Sequence, residues 1–166
     1  MSSNATWNSE AREGARGEAL VRSILEAAGA TVRQAAGNHP QYDLMARWPQ
    51  IEWEGGWAEA QVEVKTQLRA ERYNSVLVET EVCGHPDGIR HPGKTASVWV
   101  FVVGRDGRTP ERILFMNARE LGEHVDYIEQ TRGLSNALRG SHPGRGARVY
   151  FAGPNVVVEE RDQGQQ

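Results

Sequence analysis

WAEAQVEVKTQ, residues 57–67, alternates apolar with polar side chains. Ala60, Val62 and Val64 occupy every second position, which is the pattern of a half-buried strand. A strand projects the intervening Glu63 and Lys65 side by side from its other face. This pair is either a surface ion pair that contributes little to stability, or a metal ligand beside a positioned cation. The rest of the chain has to distinguish these two interpretations.

The composition predicts one globular domain. The chain has 166 residues, 39% of them hydrophobic and 25% charged, which is enough for a single core. Its net charge of −3 gives no overall sign of nucleic-acid binding, although a local basic surface is compatible with that charge. We expect a flexible N-terminus over residues 1–8, one domain over 9–158 and a flexible tail over 159–166.

Cysteine content and hydropathy predict a cytoplasmic protein. Cys83 is the only cysteine, which excludes an internal disulfide and fits a reducing compartment. No apolar run approaches the length of a membrane span, and residues 1–10 lack the basic-then-apolar order of a signal peptide. We therefore expect no membrane partner.

Lysine is rare in this chain. All but two of the 19 basic residues are arginines, and the exceptions are Lys65 and Lys94. A lysine ammonium is compact and changes its pKa readily when buried, so Lys65 in the strand-like stretch is a candidate for chemistry. Lys94 lies among loop residues, and we expect it to be an ordinary surface residue.

The order of the predicted elements is that of an α/β domain with a mixed central sheet flanked by helices. Asn117 is the predicted N-cap of the second helix. The predicted helices span residues 9–28 and 118–130. The predicted strands span residues 30–36, 42–48, 57–67, 75–82, 95–103, 112–116 and 148–152. The predicted loops include residues 49–56, 83–93 and 133–146.

Three acidic residues stand at positions that this arrangement could bring together. Glu18 lies on or beside the apolar stripe of the first helix, Asp43 follows a turn at the start of a strand, and Glu63 precedes Lys65 by two residues. Mg²⁺ binds hard carboxylate oxygens and usually takes only one or two of them from the protein. Such a metal activates water and stabilises charge on a phosphate, and a nearby ammonium can hold the attacking water. Taken alone, Glu18 is equally well explained as a boundary residue that reaches into solvent.

This set of residues resembles the PD-(D/E)XK nuclease superfamily. Tyr42-Asp43 followed by Glu63-Val64-Lys65 looks like its core motif, with a tyrosine where the motif has a proline. Residues 14–25 and 33–37 are similar to the opening helix and first strand of archaeal-type Holliday junction resolvases.

The second half resembles a group of virus-encoded nucleases of the same fold. Residues 75–79 and 84–89 are similar to a strand and a loop of those proteins, and residues 98–100 to the apolar strand that follows. The resemblance covers about residues 11–103. It implies a restriction-endonuclease-like fold and a cytoplasmic protein of a microbial or virus-infected cell.

The resemblance also implies a role for each site residue. Asp43 and Glu63 would bind Mg²⁺, with the backbone carbonyl of Val64 as a third protein ligand, and Mn²⁺ is expected to substitute for Mg²⁺. Lys65 would assist the attacking water, and Glu18 would complete the acidic cluster. Further candidates are Gln67 and Glu79 for support of the metal ligands, and Arg12, Arg16, Arg69 and Arg72 for contacts with DNA.

The implied activity is Mg²⁺-dependent hydrolysis of DNA phosphodiesters by an endonuclease, with branched DNA such as a four-way junction as the favoured substrate and DNA recombination as the setting. Resolution of a junction needs paired cuts, so a homodimer is expected. Two alternatives stay open. One is a nuclease that acts on linear or single-stranded DNA, and the other is a catalytically silent DNA-binding or interaction module of the same fold.

Overall fold

The computed structural model describes residues 2–35, 41–53, 56–70, 74–139, 142–150 and 157–160, and it places two α-helices and ten strands there. The helices are α1 (Ser2–Ala27) and α2 (Ala118–Arg132). The first five strands are β1 (Thr31–Gln34), β2 (Leu44–Trp53), β3 (Gly56–Gln67), β4 (Ser75–Val82) and β5 (His85–Pro86). A short 3₁₀ helix, Gly88–Arg90, precedes β6 (Val98–Val103), β7 (Arg112–Asn117), β8 (Ser135–Arg139), β9 (His142–Tyr150) and β10 (Val157–Glu160).

The strands form two sheets. The larger has six strands in the order β1-β2-β3-β6-β7-β10, and it is mixed because β3 and β6 are parallel while its other pairs are antiparallel. The smaller is antiparallel, with the order β5-β4-β9-β8. The predicted α/β fold with a mixed central sheet flanked by helices is therefore confirmed. The second sheet is an addition that the sequence did not predict.

Each face of the six-stranded sheet has its own apolar layer. Helix α1 covers one face, where Val21 and Leu25 belong to the same buried cluster as Val62 and Val64. Helix α2 and the smaller sheet cover the opposite face, with a buried cluster that includes Val76, Trp99, Phe101, Val125 and Val149. Because side chains alternate along β3, its odd-numbered polar positions project toward the second layer. The C-terminal half of β3, residues 62–67, is thus buried or half-buried on both faces, whereas Glu59 is exposed.

Local signals placed several elements correctly. Asn117 caps α2, since its Oδ1 accepts hydrogen bonds from the N–H groups of Arg119 (3.0 Å) and Glu120 (3.2 Å). Gly133, with a φ of 77°, follows the last residue of α2 in a conformation that suits glycine. The valine-rich run around Trp99 forms β6, and all its residues from Trp99 to Val103 are buried. Among the described residues, no helix combines the length and apolarity needed to cross a membrane.

Other boundaries differ from the prediction. Helix α1 begins at Ser2 rather than Ser9, so residues 2–8, predicted to be flexible, are helical. The loop predicted over residues 49–56 is mostly strand, because β2 continues past Pro49 through a register shift between Trp48 and Glu52. Strand β10 takes in two residues of the predicted tail, and the remaining tail residues, 161–166, lie outside the described part.

The segment 133–146, predicted to be a loop, instead contains β8 and the start of β9. Glycine weakens the strand pattern there, but it also permits close pairing. A Cβ at Gly146 would lie 2.7 Å from the backbone oxygen of Val78 in β4. The glycines that indicated a loop are therefore what allows β9 to lie against β4.

Candidate active site

Asp43 lies where β2 and β3 separate. The register pairs Leu44 with Val62, and the N–H of Asp43 still donates to the Val62 carbonyl at 2.9 Å. The next N–H on this edge of β3, that of Val64, donates to Oδ2 of Asp43 at 2.8 Å. A carboxylate thus takes the place of a strand partner. Because the N–H and C=O of one strand residue point to the same edge, the Val64 carbonyl is directed toward this side as well.

Glu63 is a buried carboxylate held by two lysines. Its side chain is 3% exposed, and its Oε1 lies 3.3 Å from Nζ of Lys65 and 2.6 Å from Nζ of Lys94. Its Oε2 is buried and has no hydrogen-bond partner among the described residues. Lys65 also lies over the ring of Trp99, 5.7 Å from the centroid. The interpretation of Glu63 and Lys65 as an exposed surface pair is therefore wrong, because their side chains are only 3% and 29% exposed.

Lys94 is the site residue that the sequence analysis missed. We expected an ordinary surface lysine, but its side chain is only 16% exposed and contacts Glu63. It is separated from Glu63 by 31 positions, so no local pattern joins the two. The composition held a signal that could have identified Lys94. The chain has two lysines, and the rarity of lysine that made Lys65 a candidate applied equally to Lys94.

Glu18 reaches this region from α1, and Gln34 of β1 donates a hydrogen bond to its Oε2 at 2.9 Å. Burial, and then the negative charge of Asp43, raise the pKa of Glu18, with a smaller contribution from Glu63. Burial and the charge of Glu63 likewise raise the pKa of Asp43, while the hydrogen bond from Val64 opposes the shift. Asp43 is thus close enough to Glu18 to raise its pKa, and the charge of Glu63 reaches both of these carboxylates.

The donors present fit a hard divalent cation. In the described part of the chain, no three His, Cys, Asp or Glu side chains are grouped closely enough to hold one metal ion. Mg²⁺ does not require such a group, because it usually keeps several waters and binds one or two carboxylates. Glu63 offers a buried oxygen that lacks a hydrogen-bond partner in the described structure, and it perturbs the nearby carboxylate of Asp43. These two residues would supply the one or two carboxylates that Mg²⁺ usually takes from a protein.

Gly17 brings α1 close to β3, one residue before Glu18. It is buried, and a Cβ at this position would overlap Oγ1 of Thr66 and lie 3.2 Å from Thr66 Cβ. Gly14, one turn earlier on the same helix, has no atom within 4 Å of such a Cβ. The close approach at Gly17 therefore sets the distance between Glu18 and the β3 edge.

Gly17→Ala is expected to lower the free energy of unfolding by about 1–2 kcal/mol, because the new methyl group overpacks against Thr66. Gly14→Ala is the matched control and should raise stability by up to about 1 kcal/mol, since alanine is the better helix former in open space. Urea unfolding followed by circular dichroism measures both effects. Equal stability of the two variants would contradict the close contact between α1 and β3.

Two residues predicted to support the metal ligands lie at the boundary with the second sheet. The side chain of Gln67 donates to the Leu77 carbonyl at 2.7 Å and accepts from the Leu77 N–H at 3.1 Å. Both ends of its amide thus join β3 to β4. Glu79 is half-buried in β4, and its backbone is in close contact with Gly88 of the 3₁₀ helix.

The arginines predicted to contact DNA lie mainly around α1. Arg12 is exposed on the helix, and Arg16 donates to the backbone carbonyl of Arg108 in the β6–β7 turn. Arg69 forms an ion pair with Glu13 of α1 at 3.0 Å and borders Gly107 of the same turn. Arg72 lies outside the described residues. The backbone of Arg108 thus lies beside Arg16, and the sequence analysis did not select this arginine.

No protein-family model, curated protein or solved structure matches this chain. The resemblance to PD-(D/E)XK nucleases therefore stays a hypothesis. Its support comes from the placement of Asp43, Glu63 and Lys65.

Proposed function

We propose that this protein is a metal-dependent DNA endonuclease with a PD-(D/E)XK-type active site. The observation that carries the proposal is the buried carboxylate of Glu63. One of its oxygens is bound by ammonium groups, and the other, Oε2, has no hydrogen-bond partner in the described structure. Asp43 lies near enough for the Glu63 charge to raise its pKa. A carboxylate pair with an adjacent ammonium is what metal-assisted hydrolysis of a phosphodiester needs.

In this proposal Asp43, Glu63 and the Val64 carbonyl hold Mg²⁺, for which Mn²⁺ can substitute. When bound, the metal lowers the pKa of a coordinated water and stabilises negative charge on the phosphate. The Lys65 side chain is 29% exposed, and in the described structure its ammonium forms one ion pair, with Oε1 of Glu63. An ammonium has three N–H donors, so others remain for the attacking water or a phosphate oxygen. Glu18 completes the acidic cluster from the α1 side.

Branched DNA is the proposed substrate, because the first half of the chain resembles junction resolvases. Paired cuts in a four-way junction need two active sites, so the proposed assembly is a homodimer. Arg12, Arg16, Arg69 and Arg108 are proposed phosphate contacts, since arginine binds phosphate oxygens in a bidentate manner.

A synthetic four-way junction, incubated with the protein and Mg²⁺, is expected to be nicked symmetrically in two opposing strands. A linear duplex with the same arm sequences and the separate single strands should be cut much more slowly, and EDTA should stop all cleavage. Denaturing gels of each labelled strand give the rates and positions of the cuts.

Each other outcome has a separate meaning. Equal cleavage of linear or single-stranded DNA would retain the active site and remove the preference for junctions. If the folded protein cut none of these DNAs with Mg²⁺ or Mn²⁺, the endonuclease proposal would be wrong and a binding module would replace it.

A further inference from the structure

The two lysines of the chain converge on one oxygen of Glu63, but their environments differ. Lys94 lies closer to Oε1, at 2.6 Å against 3.3 Å for Lys65, and its side chain is also less exposed, at 16% against 29%. Lys65 additionally lies over the Trp99 ring. The principal cation partner of the Glu63 carboxylate is therefore Lys94, and Lys65 is the more accessible of the two.

The segment that carries Lys94 is fixed on both sides of that residue. Before it, Arg90 bonds to Asp126 (2.9 Å) and to Glu129 on α2. After it, the N–H groups of Thr95 and Ala96 donate to the Gln41 carbonyl at 3.1 and 3.2 Å, two residues before Asp43. Further contacts support the segment: Gly88 lies against the backbone of Glu79, the Lys94 N–H donates to the His91 carbonyl, and the Ser97 N–H donates to the Gln61 carbonyl. The position of Lys94 beside Glu63 is thus built into the fold.

We propose that Lys94 is the resident counter-ion of the active site, which neutralises Glu63 while no metal is bound and competes with the metal for that carboxylate. The metal part of this inference rests on the proposed function, because it assumes that Glu63 is a metal ligand. The counter-ion part rests on the contacts alone. In this division of roles, Lys65 stays available for water and phosphate.

Two physical consequences follow. A carboxylate that is almost fully buried is costly unless it is paired, so removal of Lys94 should destabilise the metal-free protein. A fixed positive charge beside the ligand repels a second cation, so the same removal should strengthen metal binding. The opposite signs of these effects distinguish a counter-ion from a residue that only supports the fold, whose loss would weaken both properties.

The test uses the 166-residue chain without DNA, so that no step depends on cleavage. Lys94→Met removes the charge and keeps most of the aliphatic stem, Lys94→Arg keeps the charge, and Arg119→Met is the control for net charge. In the described structure Arg119 forms an exposed ion pair with Glu123, with side chains 84% and 71% exposed. Urea unfolding in EDTA gives the metal-free stability, and calorimetric titration with MnCl₂ gives the affinity.

We expect Lys94→Met to lower the urea midpoint and to tighten Mn²⁺ binding on the order of tenfold. Lys94→Arg should stay near the wild type in both measurements, and Arg119→Met should change neither. In a Glu63→Gln background, Lys94→Met should no longer lower the urea midpoint, because an amide needs no counter-ion. If Lys94→Met does not fold, Lys94→Gln replaces it in the titration, since it also removes the charge.

Mn²⁺ binding that is unchanged or weakened by Lys94→Met would overturn the role of Lys94 and leave the endonuclease proposal intact. A urea midpoint that falls equally in the Glu63→Gln background would overturn the counter-ion contact. If neither the wild type nor any variant binds Mn²⁺, the endonuclease proposal falls together with the metal part of this inference.

Discussion

Asp43→Asn and Lys65→Met are each expected to reduce metal-dependent DNA cleavage roughly 10³-fold. Asparagine can still accept the hydrogen bond from the Val64 N–H, but it loses the charge that a metal ligand needs. Methionine keeps an aliphatic chain beside Trp99 and loses the ammonium. Single-turnover cleavage at saturating Mg²⁺ and saturating protein measures the chemical step apart from DNA binding.

Glu26→Gln is the matched control for Asp43→Asn, because both remove a negative charge, and Arg119→Met is the matched control for Lys65→Met, because both remove a positive charge. Glu26 and Arg119 each belong to an exposed ion pair on a helix. Both should cut DNA at the wild-type rate. Circular dichroism and the urea midpoint establish that every variant is folded. Retention of more than about a tenth of the wild-type rate by a folded Asp43→Asn or Lys65→Met variant would remove that residue from the mechanism, since loss of a catalytic group costs far more.

The part of the site that the sequence predicts follows from local rules. Alternation along β3 is enough to place Glu63 and Lys65 on one face, because strand geometry has a period of two residues. It does not tell whether that face is exposed. The answer depends on the second sheet, in which β4 (75–82) pairs with β9 (142–150). The first residues of β9 are a glycine-rich stretch that looks like a loop.

The contacts that complete the site are long-range, so such local rules cannot predict them. Asp43 contacts Val64, 21 positions later in the sequence, and Lys94 contacts Glu63, 31 positions earlier. The resemblance placed Asp43 and the Val64 carbonyl at one expected metal site, although it did not predict the hydrogen bond from the Val64 N–H. The second contact had no such guide, since Lys94 lies in a loop whose position depends on Arg90, Gly88 and the Gln41 carbonyl.

Asp43→Asn is also expected to stabilise the metal-free protein near neutral pH, in contrast to its effect on cleavage. Burial and the charge of Glu63 raise the pKa of Asp43, so the folded state favours its protonated form. A carboxyl with a raised folded-state pKa contributes its full stability below the unfolded-state pKa, about 3.9 for aspartate, and loses that contribution as the pH rises through the folded-state value. Asparagine cannot ionise, so the stability of the Asp43→Asn variant does not fall for this reason as the pH rises. Its advantage over the wild type should therefore be present near neutral pH and should vanish near pH ~4.

Asp106→Asn provides a control with the opposite sign. The N–H groups of Thr109 and Arg108 donate to Oδ1 of Asp106 at 2.7 and 2.8 Å, and these bonds hold the pKa of Asp106 below its usual value. Its contribution is present at neutral pH and is lost as the pH falls, so Asp106→Asn should destabilise the protein near neutral pH and less so in acid. Urea unfolding in EDTA across this range compares both variants with the wild type. If Asp43→Asn were as stable as the wild type near neutral pH, or less stable, Asp43 would not be held under electrostatic strain beside Glu63. Added Mg²⁺ would then relieve no charge repulsion at Asp43, and the proposed pairing of Asp43 with Glu63 as metal ligands would lose its electrostatic basis.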